Sequence, residues 1–383
     1  MTILSGSVNV CKVISNCPVK LTGGGYPVSL WGECPQVDFF GAGNIFSDTV
    51  TYIAFFGDLI GINMTSIVAD IGGTNARFAI AKPVAAGYQL ERLKVVDCKR
   101  FKGFDAALQH WLDELEGPRP EKACIAAAGP LEKTATGGRV YMTNLGWSID
   151  AGELAQEFAF PHLELINDFA ALAQSLPRLS SEDYQVLRDV PRVEGAPMAV
   201  LGPGTGLGVA GLAEADGRYH VLAGEGGHAN LTVSTQRELQ LLQILMKSRS
   251  PVFNEWVLSG SGLVNLYHAV CELNGQEPED LSPPDISARG LDGADPLCRE
   301  TLLDFLNFLG SATGDAALYM GARGGVFLGG GILPRIAKLL PESEFEQRFL
   351  NKGRVAPWME TVPVYALNAG YQALIGAAVQ LEG

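Results

Sequence analysis

Two glycine-rich turns, each set between short apolar runs, constrain the fold of this chain more than any other feature. Asp70-Ile71-Gly72-Gly73-Thr74-Asn75 follows Ile67-Val68-Ala69 and leads into the apolar run Ala76 to Ala81. Gly202-Pro203-Gly204-Thr205-Gly206-Leu207-Gly208 lies between the runs Met198 to Leu201 and Gly208 to Leu212. Strand, tight turn, strand is the reading in both places, once in each half of the chain. Residues without a Cβ let backbone N–H groups face an anion unobstructed, so each turn suits a phosphate. Asp70 is then placed to face the metal carried with that phosphate, because Mg²⁺ keeps few carboxylates and several waters. For the first cluster an ordinary hairpin with an Asx-type turn accounts for the residues equally well.

The second cluster contains a decoy. Gly206, Gly208 and Gly211 spell G-x-G-x-x-G, and Glu225 follows at a distance that suits a ribose contact. A dinucleotide fold needs a helix after those glycines. Here an apolar run leads instead into a turn at Asp216-Gly217 and a further strand at Tyr219 to Leu222, so a hairpin is expected. No G-x-x-x-x-G-K-[ST] occurs, which removes the P-loop class.

Around these turns, strands and helices alternate. Phe104, Ala107, Leu108, Trp111, Leu112 and Leu115 form an amphipathic helical stripe over Gly103 to Leu115. Cys124 to Ala128 and Leu163 to Ile166 read as buried strands. Helical periods run from Thr235 to Met246, Gly262 to Leu273 and Asp295 to Met320. Gly325 to Leu328 is a strand entering Gly329-Gly330-Gly331, and Ala369 to Leu381 is a terminal helix. The class is α/β with mixed sheets in two halves.

Charge and cysteine usage narrow the partners. With 28 Lys plus Arg against 42 Asp plus Glu the formal charge is −14, which repels nucleic acid and anionic membrane surfaces. Seven scattered cysteines without a C-x-x-C pair fit neither a disulfide framework nor a zinc knuckle. No apolar run spans a bilayer and no basic stretch with an apolar signal segment opens the chain, so a reducing, cytoplasmic location is expected. Residues 1–63 carry six charges and show no clear period. They read as an N-terminal extension, leader-like or poorly ordered, ahead of a natural start at Met64.

Three further sets of residues bear chemistry. Asn167-Asp168 closes the Leu163 to Ile166 strand, where ligand sites of α/β proteins collect. Asp168 is placed to take a proton from an attacking hydroxyl while Asn167 donates to a neighbouring oxygen; Asp168 as a helix N-cap is the plainer alternative. Glu225 and His228 flank Gly226-Gly227, and no third ligand near them makes a metal site. Glu255 alone reads as a solvated helix residue.

The order of motifs gives these residues a common frame. Asp70-Ile-Gly-Gly-Thr-Asn-Ala-Arg, Leu165-Ile-Asn-Asp-Phe, Gly202-Pro-Gly-Thr-Gly-Leu-Gly, Gly224-Glu-Gly-Gly-His, Val257-Leu-Ser-Gly-Ser-Gly-Leu-Val-Asn-Leu-Tyr and Gly325-Val-Phe-Leu-Gly-Gly-Gly-Ile closely resemble the bacterial ATP-dependent glucokinase family, from Met64 to the C-terminus. The resemblance implies a two-domain hexokinase and actin-like (ribonuclease H-like) α/β fold, with mixed sheets flanked by helices and an interdomain cleft. It divides the chain into a small domain of residues 64–178 plus 368–383 and a large one of residues 179–367. The implied reaction moves the γ-phosphate of Mg-ATP to the 6-hydroxyl of glucose, giving ADP. By motif, Asp168 is similar to the catalytic base, and Asn167, Asp168, Glu225, His228 and Glu255 to the glucose ligands, with Asn144 on the sugar side. Asp70, Gly72, Gly73, Thr74 and Asn75, with Gly204, Thr205 and Gly206, are the implied phosphate and Mg²⁺ turns, and Gly329, Gly330 and Gly331 lie near the nucleoside. A homodimer is implied as well. The related repressor, open-reading-frame and kinase family carries a cysteine-rich zinc motif after the Glu–His segment; here Ala229-Asn230-Leu231-Thr232-Val233 follows, and zinc is not expected.

Overall fold

The structure is a computed structural model that describes residues 19–20, 29–30, 65–85, 87–368 and 370–382. In the first of two compact units, Met1–Ile53, Val19–Lys20 pairs antiparallel with Ser29–Leu30. The rest of the 63-residue extension, and the expectations made for it, lie outside the described residues.

In the second unit, Ala54–Gly383, two large sheets repeat one topology. In the first, Ser66–Ile71, Asn75–Val84 and Gly87–Asp97 form an antiparallel meander, and Lys122–Ala127 and His162–Asn167 add in parallel beside Ser66–Ile71. In the second, Met198–Pro203, Leu207–Ala215 and Arg218–Gly224 form the meander, and Gly325–Leu328 and Val364–Leu367 add in parallel beside Met198–Pro203. Tyr184–Arg188 closes that sheet antiparallel to Val364–Leu367. A separate three-stranded sheet of Leu131–Thr134, Gly137–Met142 and Trp147–Asp150 joins the first half.

Each meander turns at the expected glycine cluster. The first hairpin pairs Ile71 with Ala76, and Gly72 N–H donates to Asn75 O at 3.0 Å. The second pairs Pro203 with Leu207, and Gly204 N–H donates to Gly206 O at 2.8 Å. After the second, the chain makes the expected hairpin, with Asp216 at φ +53° and Gly217 at φ +72°, a turn that asks for left-handed backbone at both positions. The G-x-G-x-x-G therefore runs from the turn at Gly206 into the antiparallel strand Leu207–Ala215, with no helix after it.

Period-two alternation sends each sheet's side chains into two cores. Ile67, Ala69 and Ile71 face a core with Phe78, Phe104, Leu108 and Trp111, while Val68, Ala79 and Cys124 face Leu374, Ala377 and Ala378. In the second sheet Ala199, Leu201, Val326 and Leu328 pack on Phe305, Leu306 and Leu309 of the helix Pro296–Met320, and Val200 and Phe327 pack on Ala173 and Leu176. Each fully buried Leu, Ile or Phe contributes about 1.5–3 kcal/mol relative to exposure. Among the described residues no helix is long and apolar enough to cross a membrane.

The helix Asp168–Ser175 lies between these systems. It covers one face of the second sheet, and it packs on the helix Gln372–Gln380, whose Leu374, Ala377 and Ala378 cover the first. Two glycines make that closeness possible: a Cβ on Gly376 would collide with Ala171 O, and one on Gly208 would collide with the Phe169 ring. Helix ends differ slightly from the sequence reading. The stripe over 103–115 is helical from Phe104 to Leu112, and the terminal helix starts at Gln372, where the backbone leaves the Gly370 turn.

Candidate active site

The two glycine turns, 130 residues apart in sequence, meet at their tips. A Cβ on Gly73 would stand 3.3 Å from Thr205 Oγ1. The third glycine run docks on the second turn: Gly329 N–H donates to Leu201 O at 2.8 Å, and a Cβ on Gly202 would lie 2.6 Å from the Gly329 carbonyl carbon. Gly330, at φ +82°, would collide with Pro203 O if it carried a side chain. Gly72, Gly204 and Gly331, by contrast, meet no atom closer than 3.7 Å at the Cβ position. That is a cradle of backbone with open faces, as an extended anion requires.

Asp168 stands at the C-terminal end of the parallel strand His162–Asn167. Asn167 holds the cap position: its Oδ1 accepts from the N–H groups of Phe169 (2.9 Å) and Ala170 (3.1 Å). The cap alternative for Asp168 is thereby corrected: Asn167 holds the cap, while Asp168, the first helical residue, shares only the Phe169 N–H through its Oδ1 at 3.0 Å. Asn167 Nδ2 donates one hydrogen to Gly129 O at 3.1 Å and keeps a second. Burial, with Asp70 and then Glu225 as negative neighbours, pushes the Asp168 carboxyl up to about 7. That environment ties the first turn, the strand end and the Glu225 segment together. Asp70 itself pairs with Arg77 at 2.8 Å; burial raises its carboxyl above the ordinary value, and Arg77 offsets part of that.

Glu255 is not the solvated helix residue that its neighbours in sequence suggest. It sits half-buried on the 3-10 turn Asn254–Trp256, and its Oε2 accepts from Leu207 N–H at 2.8 Å. The same turn leads into the helix Gly260–Leu273, whose first N–H donates to Gly204 O at 2.8 Å. The Glu225 to His228 segment lies flat on the strand after the second glycine turn, with Gly226 against Val209 and Gly227 against Leu207. His228 is exposed and stacks on Phe253. Asn144 stands exposed in the turn between Gly137–Met142 and Trp147–Asp150, and among the described residues its side chain bonds to none of these groups.

The model of the family described as Glucokinase matches residues 67–383. The chain belongs to the glucokinase family. The glucokinase of Saccharophagus degradans is 40% identical over 317 residues, covering 82% of this chain and 98% of that one. That of Chromobacterium violaceum is 41% identical over 316 residues, covering 82% and 88%. Among solved structures, a glucokinase from an Antarctic psychrotroph superposes with a TM-score of 0.75 at 40% identity, over 83% of this chain and 98% of that one. The Balamuthia mandrillaris glucokinase, solved with glucose, gives a TM-score of 0.71 at 19% identity over 88% and 99%, a likeness of fold. The glucokinase-family fold is the actin-like one expected from the motifs.

Reading the glucokinase family from motifs alone left out Arg77, Gly129 and Phe253. Arg77 ends the first motif, eight residues from Asp70 counting both, and an antiparallel register places it directly across from Asp70. Gly129 heads a Gly-Pro turn at a strand end, a signal of backbone approach. Nothing in the sequence around Phe253 marks it.

Proposed function

We propose that this chain transfers the γ-phosphate of Mg-ATP to the 6-hydroxyl of glucose, giving glucose 6-phosphate and ADP. The observation that carries the proposal is Asp168, a carboxylate raised to about 7 at a strand end, in the electrostatic company of the first glycine turn and of Glu225. A base with a pKa near the working pH accepts a hydroxyl proton best as phosphoryl transfer proceeds.

In this reading Asp168 takes the proton of the 6-hydroxyl. Asn167 presents its second amide hydrogen, and Glu225, His228, Glu255 and Asn144 meet other hydroxyls of the sugar. The turn Asp70, Gly72, Gly73, Thr74 and Asn75 and the turn Gly204, Thr205 and Gly206 hold the phosphates, with Gly329, Gly330 and Gly331 toward the nucleoside. The residues fit Mg²⁺ carried by phosphate. Asp70, Asp168 and Glu225 concentrate negative charge, yet among the described residues no three His, Cys, Asp or Glu side chains are grouped to hold a metal by themselves. Asp70 would hold the ion through water, and the ion, when bound, supplies charge neutralisation for the phosphates.

Residues 64–178 plus 368–383 and residues 179–367 act as two domains that close on the sugar. Closure excludes water, which would compete with the 6-hydroxyl as acceptor. A cytoplasmic location suits four buried free thiols, Cys98, Cys124, Cys271 and Cys298. A homodimer rests on the family resemblance. The test is ADP release from Mg-ATP against a panel of hexoses, using the full chain. Turnover with glucose well above that with its epimers is expected. If no hexose is phosphorylated while glucose raises the melting temperature, the protein senses the sugar without turning it over.

A further inference from the structure

The segment that carries His228 and the one that carries Glu255 are laced together by backbone. Asn230 bridges Phe253, Leu231 N–H donates to Val252 O at 3.0 Å, and Asn254 N–H donates to Ala229 O at 2.9 Å. This pairing lays the His228 imidazole on the Phe253 ring, with centroids 4.9 Å apart and planes inclined by 22°. Phe253 is itself held. Trp256 meets it edge-on at 6.2 Å, and the Arg249 guanidinium stands 4.9 Å from the centroids of both Phe253 and Trp256. Arg249 comes from a third element, as the C-cap of the helix Gln236–Ser248, with its N–H on Leu245 O.

From this geometry we propose that the Arg249, Phe253 and His228 stack positions the imidazole plane and thereby sets which hexose epimer the site accepts. An imidazole gives and receives hydrogen bonds only in its ring plane, so the surface it stacks on fixes the directions in which a hydroxyl can meet it. An aromatic partner near-parallel to the imidazole fixes that plane, and a cation over the aromatic cluster holds the partner. Phe253 and Arg249 are positioning residues that act through His228. The inference rests on the reading of His228 as a sugar ligand.

The test compares Phe253→Leu, Arg249→Met, Phe253→Tyr and His228→Ala in the full chain, with glucose and mannose as acceptors. In Phe253→Leu the KM for glucose should rise about tenfold and the glucose-over-mannose ratio of kcat/KM should fall, while kcat and the KM for ATP stay within about twofold. Arg249→Met should move the same quantities by less, and Phe253→Tyr, which keeps the ring, should restore them. If His228→Ala raises the KM for glucose and Phe253→Leu leaves it unchanged, the stack has no such role and the sugar-ligand reading survives. If His228→Ala itself changes nothing, that reading fails and the inference with it. A Phe253→Leu protein that loses kcat, ATP affinity and melting temperature together marks a merely structural ring and overturns the proposal.

Discussion

Leu207 N–H donates to Glu255 Oε2 at 2.8 Å, so one hydrogen bond joins the second glycine turn to a carboxylate 48 residues further along. The turn proposed for phosphate and the side chain proposed for sugar are therefore one mechanical unit. Gly206 makes the bond possible, since a Cβ there would collide with the same carboxylate oxygen. Gly206→Ala should push Glu255 away and raise the KM for both glucose and ATP by about tenfold or more, as expected for about 1.4 kcal/mol per factor of ten. Glu255→Gln, which keeps the size, should raise the KM for glucose alone. Steady-state kinetics with each substrate varied in turn distinguishes the two, and an unchanged glucose KM in Glu255→Gln removes that residue from the sugar site.

Gly376 fixes the helix that begins with Asp168. Its lack of a side chain lets the helix Gln372–Gln380 approach Ala171 O, and Gly376→Val would force the two helices apart. Overpacking of a close contact costs typically about 1–3 kcal/mol. Both the melting temperature and kcat should fall, the second because the start of the Asp168 helix shifts with its middle. A variant with lowered melting temperature and unaltered kcat would show that the strand end, and not the helix packing, holds Asp168.

The ion pair of Arg348 with Glu238 lies at 3.0 Å with side chains 8% and 3% exposed, whereas that of Lys247 with Glu272 has 66% and 48% exposure. Glu238 also closes a capping box with Thr235 at the start of the helix Gln236–Ser248. Arg348→Met leaves a carboxylate buried without its cation and should cost about 3–5 kcal/mol. Lys247→Met should cost less than about 1 kcal/mol, because water already screens both charges. Denaturant unfolding of the two variants checks the contrast.

Much of this architecture is legible in the sequence because its strands are short, apolar and punctuated by glycine. The runs before Gly72 and before Gly202 have no amphipathic helical stripe, and both form the predicted hairpins. What the sequence hides are partners set by register and by chain crossing. The strand Gly87–Asp97 is mostly exposed and carries Glu91, Arg92 and Lys94, so its pairing with Asn75–Val84 leaves little apolar pattern. Leu131–Thr134 is almost wholly exposed for the same reason. Glu255 looks solvated because its partner, Leu207 N–H, belongs to a distant turn. Asn167, rather than Asp168, takes the cap position because the strand runs through Asn167 and the helix begins at Asp168, and that boundary leaves one Asp168 oxygen without a backbone partner.

Asp168 should make both rate and stability depend on pH near neutrality. Its carboxyl is pushed up to about 7 by burial and by the negative charges of Asp70 and Glu225. The base form is the ionised one, so kcat/KM for glucose should rise with pH through about 7 and level off above it. Asp168→Asn should abolish nearly all turnover while glucose binding is largely retained. For stability the sign runs the other way from an ordinary paired carboxylate. The folded state holds its proton more tightly than the unfolded chain, so below about pH 4 both states are protonated and the group has no effect. As pH rises from there through about 7 the folded protein loses stability, because it must then carry a desolvated charge beside two others. Asp168→Asn should therefore match the parent protein near pH 4 and exceed it at pH 8, by on the order of 1 kcal/mol, since the residue is only half-buried and solvent screens part of the charge. Melting curves of the two proteins across that range, taken without ligands, test the assignment independently of the assay. Parallel curves at every pH would mean that the Asp168 carboxyl titrates at its ordinary value.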